Sequence, residues 1–242
     1  MKKALSFFVI FVSACVSTWR APDDFLYAPI YAGQYDIVTY QRISDTTSPI
    51  HIYIEGDGNA FDAYGHPTSD PTPRGTFLRD LATRDTYPNI VYMARPCQYI
   101  RSTSCQTSDW TDGRFSEQII NAMATAVRTV AQHRPIILIG YSGGAMVSGL
   151  IINKNPDLNV IQWVTIAGVL NHTDWTSYFG DSPLSLSLNL DTLPNVPQTH
   201  YIASGDRVVP NHLSQQWTGG NNLVVVSGAT HTDFSNIAIS FH

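Results

Sequence analysis

From residue 50 onward the chain alternates between short apolar runs and segments whose apolar residues recur at helical spacing. Residues 136–139 (Ile-Ile-Leu-Ile) form a continuous aliphatic run, the pattern of a strand buried on both faces of a parallel sheet. Runs at 90–93, 160–167, 199–203 and 223–226 have the same character. Between them, residues 116–132 place Ile119, Ile120, Met123, Val127 and Val130 on one helical face, with Ser116 as the N-cap and Pro135 closing the segment. Residues 76–84 and 143–154 also read as helices. Earlier, residues 35–42 and 50–54 are rich in β-branched and aromatic side chains. They flank the polar Ser-Asp-Thr-Thr-Ser-Pro stretch, which predicts two strands in a hairpin-like connection. Residues 56–74 are a loop dense in Gly, Pro and Asp. Strands alternating with helices predict an α/β fold, a mostly parallel central sheet with helices on both faces. A Rossmann-like or flavodoxin-like sheet has the same pattern, so chemistry has to decide.

Composition narrows the function classes. The 242 residues, 43% of them hydrophobic, suffice for one core of respectable size. A net charge of -5 with only 14% charged residues leaves no basic face to neutralise phosphates, which argues against nucleic acid as a partner. No run reaches the ~20 apolar residues of a membrane-spanning helix.

The amino terminus has its own pattern. Lys2 and Lys3 precede an apolar run over residues 4–12, followed by Val12-Ser13-Ala14-Cys15. Residues 1–14 read as a secretory signal peptide. The tetrad resembles the bacterial lipoprotein cleavage box, which implies that Cys15 becomes the acylated first residue of the mature protein. Several acyl chains make a stable anchor, at roughly 0.8 kcal/mol per buried CH₂. Val16 is not the Asp that retains such proteins at the inner membrane, so the outer membrane of a Gram-negative envelope is the expected destination. Residues 15–35 read as an anchor and linker, and residues 36–242 as the folded domain. Setting Cys15 aside leaves Cys97 and Cys105, an even pair in an oxidising compartment, which predicts a disulfide. Closing so short a loop is worth about 2.5 kcal/mol in the chain-entropy model. Two Cys without a neighbouring His make a poor zinc set, and no metal site is expected.

The deciding motif is Gly140-Tyr141-Ser142-Gly143-Gly144, a G-x-S-x-G sequence set between the buried run at 136–139 and the helix at 143–154. A serine at such a junction is held in a tight turn with its hydroxyl exposed. The helix N-terminus beyond it favours a developing oxyanion. A nucleophilic serine needs a base and an orienting acid. Among His172, His200, His212, His231 and His242, His231 is preferred, because it follows the run at 223–226 and so emerges at the carboxyl edge of the sheet. Asp206, in Gly205-Asp206-Arg207-Val208-Val209-Pro210 directly after the preceding strand, is preferred over Asp174, Asp181 and Asp191 as the acid.

Together, Ser142 in its elbow, Asp206 in the Gly-Asp-Arg-Val-Val-Pro loop and His231 in Ala-Thr-His-Thr-Asp resemble the α/β-hydrolase family over roughly residues 36–242. The cleavage box, Glu55-Gly56-Asp57-Gly58 and Ala94-Arg95-Pro96-Cys97-Gln98-Tyr99 resemble, more narrowly, a group of bacterial lipoprotein-type α/β hydrolases. The resemblance implies ester hydrolysis through an acyl-enzyme on Ser142, without metal or organic cofactor. It implies oxyanion donors at the Gly143 and Asp57 N–H groups, with Gly58 next in line; the His-Gly pair common at this loop is Glu55-Gly56 here. The front of the chain looks short for an eight-stranded sheet, by one or two edge strands. Residues 171–198 are where this fold inserts a cap, here a short one. Its Trp175, Tyr178, Phe179, Leu184, Leu186 and Leu188 are candidates for lining an acyl pocket, and Tyr141 and Trp175 are assigned to the substrate. The expected partners are a small ester or acyl compound and, through the anchor, a membrane. Rival readings are a peptidase or thioesterase on the same three residues, or a non-catalytic lipoprotein that binds envelope partners.

Overall fold

The computed structural model describes residues 19–234, 237, 239 and 241. The signal segment 1–14 and Cys15 lie outside the described residues. Among the described residues ten strands occur: β1 (Leu26–Tyr27), β2 (Ile30–Ala32), β3 (Tyr35–Ile37), β4 (Thr39–Ile43), β5 (Ile50–Ile54), β6 (Asn89–Met93), β7 (Ile136–Tyr141), β8 (Val160–Ile166), β9 (Gln198–Ala203) and β10 (Leu223–Val226). The helices are α1 (Phe77–Arg84), α2 (Glu117–Ala131), α3 (Gly143–Lys154), α4 (His172–Phe179) and α5 (Asn211–Thr218), with a short 3₁₀ turn at Thr107–Trp110.

Eight strands form one sheet in the order β1-β4-β6-β5-β7-β8-β9-β10. From β6 to β10 every pairing is parallel, while β1 and β4 run antiparallel at one edge. Strand alternation sorts the core into two layers. Ile50, Ile52 and Ile54 of β5 and Ile136 and Leu138 of β7 pack with α2 and α3 on one face. Tyr53, Ile137, Ile139 and Tyr141 pack with Leu78, Leu81 and Ala82 of α1 on the other. All six residues of β7 are buried, which is why its run shows no alternation. Ser116 caps α2 as its position suggests, its Oγ accepting the Ile119 N–H.

Three expectations about the front of the chain are corrected. The single strand expected over 35–42 breaks at Val38: β3 pairs with β2 in a separate two-stranded sheet, and β4 joins the main sheet. β4 and β5 are not hairpin partners, because β6 lies between them and pairs with both. The expected shortfall of one or two edge strands does not occur, since among the described residues the sheet already reaches eight strands, the last of them β1. β1 has two exposed residues, too few to carry a period, and it lies in the stretch read as linker, as does β2.

One buried group couples the fold to pH. His200 in β9 is 1% exposed, with Nδ1 meeting Thr165 Oγ1 at 2.8 Å and Nε2 meeting Gln198 Oε1 at 2.9 Å. Burial lowers its pKa from 6.5 to about 4. A neutral His200 in the folded state faces a protonatable one in the unfolded chain, so its contribution is complete above pH 6.5 and is lost as pH falls toward 4. The expected loss is about 3 kcal/mol over that range. Urea unfolding at pH 7 and pH 4.5 checks this; His200→Gln should flatten the dependence, and an unchanged slope would refute it.

Candidate active site

Ser142 is the junction between β7 and α3, with φ 52° and ψ -123°. A non-glycine residue in that region costs about 1–3 kcal/mol and persists only where its surroundings impose it. Here they do. The Ser142 N–H donates to Ile166 O at 3.0 Å, and its carbonyl accepts from Ala145 and Val169 at 3.1 Å each. The glycines around it are required by contact: a Cβ on Gly140 would strike Gly144 O and Ala145 Cα, and one on Gly144 would strike Ile54 O. The helix therefore starts flush against the ends of β5 and β7.

The structure brings the three residues singled out in the sequence together. His231 Nδ1 is 2.9 Å from Asp206 Oδ2, and His231 Nε2 is 3.1 Å from Ser142 Oγ. A carboxylate can only accept, so Nδ1–H is the donor to Asp206. In the neutral ring Nε2 is then the acceptor for the Ser142 hydroxyl. Asp206 is itself oriented by the Val208 and Val209 N–H groups, each donating to Oδ1 at 2.8 Å, and its side chain is fully buried. Tyr141 OH donates to the His231 carbonyl at 3.0 Å. Burial, then the negative charges of Glu55 and Asp206, push the Tyr141 pKa far up, so it stays a phenol.

The rivals sit elsewhere. His200 is inside the sheet, His212 is exposed on α5, and His242 lies outside the described residues. Asp174 accepts from Trp217 Nε1 at 2.7 Å, and Asp181 and Asp191 are exposed. His172 does line the cleft, but it is not joined to Ser142. It is stacked on Phe115, and burial, followed by the positive charge of Arg114, lowers its pKa and keeps it neutral.

Ser142 opens into a cleft of about 800 Å³. Phe61, Phe77, Phe115, Val169, Trp175, Val209 and Phe234 supply its apolar wall, and the Glu55–Gly58 loop runs along the side facing Gly143. Trp175 is fixed by its Nε1–H donating to Val208 O at 2.7 Å. The acyl-lining expectation is corrected for most of the cap. Leu184 and Leu188 pack on the core instead, and Tyr178, Phe179 and Leu186 are exposed outside the cleft. A mixed apolar loop carries no signal of which side chains turn inward.

The oxyanion loop is more heavily built than its sequence suggests. Among the described residues, no acceptor takes the N–H of Asp57, Gly58 or Gly143. The Asp57 carboxylate is paired with Arg95 Nη1, and its Oδ2 is 3.1 Å from Arg114 Nε. Glu55 accepts from Tyr92 OH at 2.8 Å and from the Gly56 N–H at 3.0 Å. Burial raises the Glu55 pKa, and those two donors temper the rise. The sequence does not mark Arg95, Arg114 or Gln98 as site residues, because their partners are distant in the chain; only the Ala94–Tyr99 segment stands out, by resemblance. Cys97 and Cys105 form the expected disulfide, with Cα atoms 5.8 Å apart. Among the described residues no group of three or more His, Cys, Asp or Glu is arranged to hold a metal ion.

No protein-family model matches the chain, and neither does any curated sequence. Solved structures do match it. XC6422 from Xanthomonas campestris, described as an α/β serine hydrolase without a lid, has a TM-score of 0.56 at 14% identity, over 87% of each chain. Est1E from Butyrivibrio proteoclasticus has a TM-score of 0.57 at 11% identity, over 85% of this chain and 90% of its own. The Pyrococcus furiosus esterase Pf2001 has a TM-score of 0.57 at 14% identity, over 86% of this chain and 84% of its own. At these identities the likeness speaks for architecture, and the architecture of this chain is the α/β-hydrolase fold.

Proposed function

We propose that the protein is a serine hydrolase that cleaves carboxylic esters through an acyl-enzyme on Ser142. The observation that carries this reading is the relay from Ser142 Oγ through His231 to the buried Asp206 carboxylate, at the foot of an open, largely apolar cleft. Ser142 Oγ attacks the ester carbonyl while His231 Nε2 takes its proton, and Asp206 stabilises the imidazolium that forms. The carbonyl oxygen becomes an oxyanion held by the N–H of Gly143, at the start of α3, and that of Asp57, in the loop after β5. Collapse of the intermediate breaks the ester C–O bond, and His231 returns the proton to the departing alcohol. Water then attacks the acyl-enzyme, with His231 again as base, releasing the acid and restoring Ser142.

Esters are favoured over peptides by the cleft itself. Its wall offers aromatic and aliphatic side chains to an acyl chain, and among the described residues neither edge strand of the main sheet, β1 or β10, lines it to register a peptide backbone. The test is a matched panel of p-nitrophenyl esters, acyl thioesters and anilides on the purified protein. Ester turnover well above the other two is expected; faster turnover of thioesters or anilides would reassign the leaving group.

We also propose that the enzyme sits on the envelope, in the outer membrane, held by acyl chains on Cys15 after removal of residues 1–14. The support is the basic start, the apolar run and the Val-Ser-Ala-Cys tetrad. Labelled palmitate should enter the wild-type protein in a Gram-negative host and be absent from Cys15→Ser. Equal labelling of the two, or none of the wild type, would remove the anchor.

A further inference from the structure

We infer that the disulfide-closed segment after β6 positions the oxyanion hole, with Gln98 and Arg95 as its positioning residues. The inference rests on the reading of Ser142 as nucleophile and goes beyond it, to what aims the N–H of Asp57.

Gly56 C=O and Asp57 N–H belong to one planar trans unit and point in opposite directions. Whatever fixes the Gly56 oxygen therefore fixes the direction of the Asp57 N–H. Gln98 does so: its Nε2–H donates to Gly56 O at 3.0 Å. The amide cannot flip without loss, because its Oε1 accepts the Arg95 N–H at 3.0 Å and an NH₂ there would face another donor. Gln98 is buried, so no water replaces either bond. The loop it holds is not part of the sheet ladder beyond the Glu55 N–H, which donates to Met93 O at 3.0 Å.

The charges around Asp57 act in the same direction. A Cβ on Gly143 would strike the Asp57 carboxylate, so that carboxylate lies directly beside the other oxyanion donor. A lone negative charge there would oppose the oxyanion it adjoins. Two guanidinium groups, Arg95 and Arg114, face this one carboxylate, and Arg95 also donates to the Arg114 carbonyl. They offset the charge of this anionic neighbour, and they lock the Asp57 side chain so that its backbone cannot swing.

The segment that carries Arg95 and Gln98 is held in an unusual path. Cys97 and Tyr99, on either side of Gln98, have φ of 69° and 65°, where residues other than glycine are rare. The Cys97–Cys105 bond ties one of them and the Thr72 hydroxyl ties the other, accepting the Tyr99 N–H at 2.7 Å. The disulfide thus serves catalysis through Gln98, and oxidation of this pair is part of assembling the site.

The test uses Gln98→Met, which keeps the volume and removes both hydrogen bonds, beside the wild-type protein with its disulfide intact or reduced. Misaiming one oxyanion donor should lower kcat by about 10²-fold, with KM within about twofold of wild type. The affinity for a trifluoromethyl ketone, whose adduct carries the oxyanion, should fall by the same factor. A purely structural role would change KM or thermal stability and leave the ratio of inhibitor to substrate binding alone. Reduction of the wild type, which needs no folded variant, should lower kcat reversibly by at least about tenfold. Unchanged kcat and ketone affinity in Gln98→Met, or unchanged kcat in the reduced wild type, would overturn the inference. Wild type without ester turnover would instead overturn the serine hydrolase reading beneath it.

Discussion

Ser142→Ala is expected to lower ester turnover by about 10⁵- to 10⁶-fold, with the fold intact. The size follows from the relay acting as a unit. Without Oγ no acyl-enzyme forms, and His231 and Asp206 have nothing to activate except water. The residue left behind is small and stays inside the elbow, whose glycines and carbonyl contacts do not involve the hydroxyl. Alanine keeps the positive φ at similar cost, so the melting temperature should move by only a few degrees. The check is kcat on a p-nitrophenyl ester together with a thermal melt. Turnover within about tenfold of wild type in a folded variant would remove Ser142 from the chemistry.

The second large effect falls on the acid. Asp206→Asn should lower kcat by about 10⁴-fold and leave KM nearly unchanged. Asn is isosteric with Asp, and its oxygen can keep the Val208 and Val209 N–H bonds now made to Oδ1. The amide nitrogen then faces His231 Nδ1 as a donor. The ring answers by placing its proton on Nε2, where it points at Ser142 Oγ and can no longer accept from it. Catalysis is lost through the wrong tautomer, and the loss should ease at high pH, where the Ser142 hydroxyl needs less help. Steady-state kinetics across pH 6–10 read this directly. A loss confined to KM would mean that Asp206 supports binding instead.

What was legible from sequence follows from local physics. The run at 136–139, the glycines of the elbow and the helix at 143–154 each carry a local signal, and they agree on one strand-turn-helix unit. The placing of Asp206 and His231 after β9 and β10 follows from parallel topology, which sends every strand's following loop to one edge of the sheet. What was not legible is non-local. Nothing in residues 35–54 says that β6, some forty residues later, enters between β4 and β5. Nothing in Asp57 says that its charge is met by Arg95 and Arg114, and no period announces a buried Gln98. The cap shows the same limit: Trp175 faces the cleft and Leu184 the core, from one unpatterned stretch.

The central claim is that Ser142 is the nucleophile, and covalent capture tests it most directly. The purified protein would be treated with a fluorophosphonate, digested, and the adduct mapped by mass spectrometry beside Ser142→Ala. The account predicts one phosphonylated site, on the peptide carrying Gly-Tyr-Ser-Gly-Gly at Ser142, and no adduct in the variant. A folded wild-type protein that takes no label, or takes it at another residue with Ser142→Ala labelled equally, would contradict it.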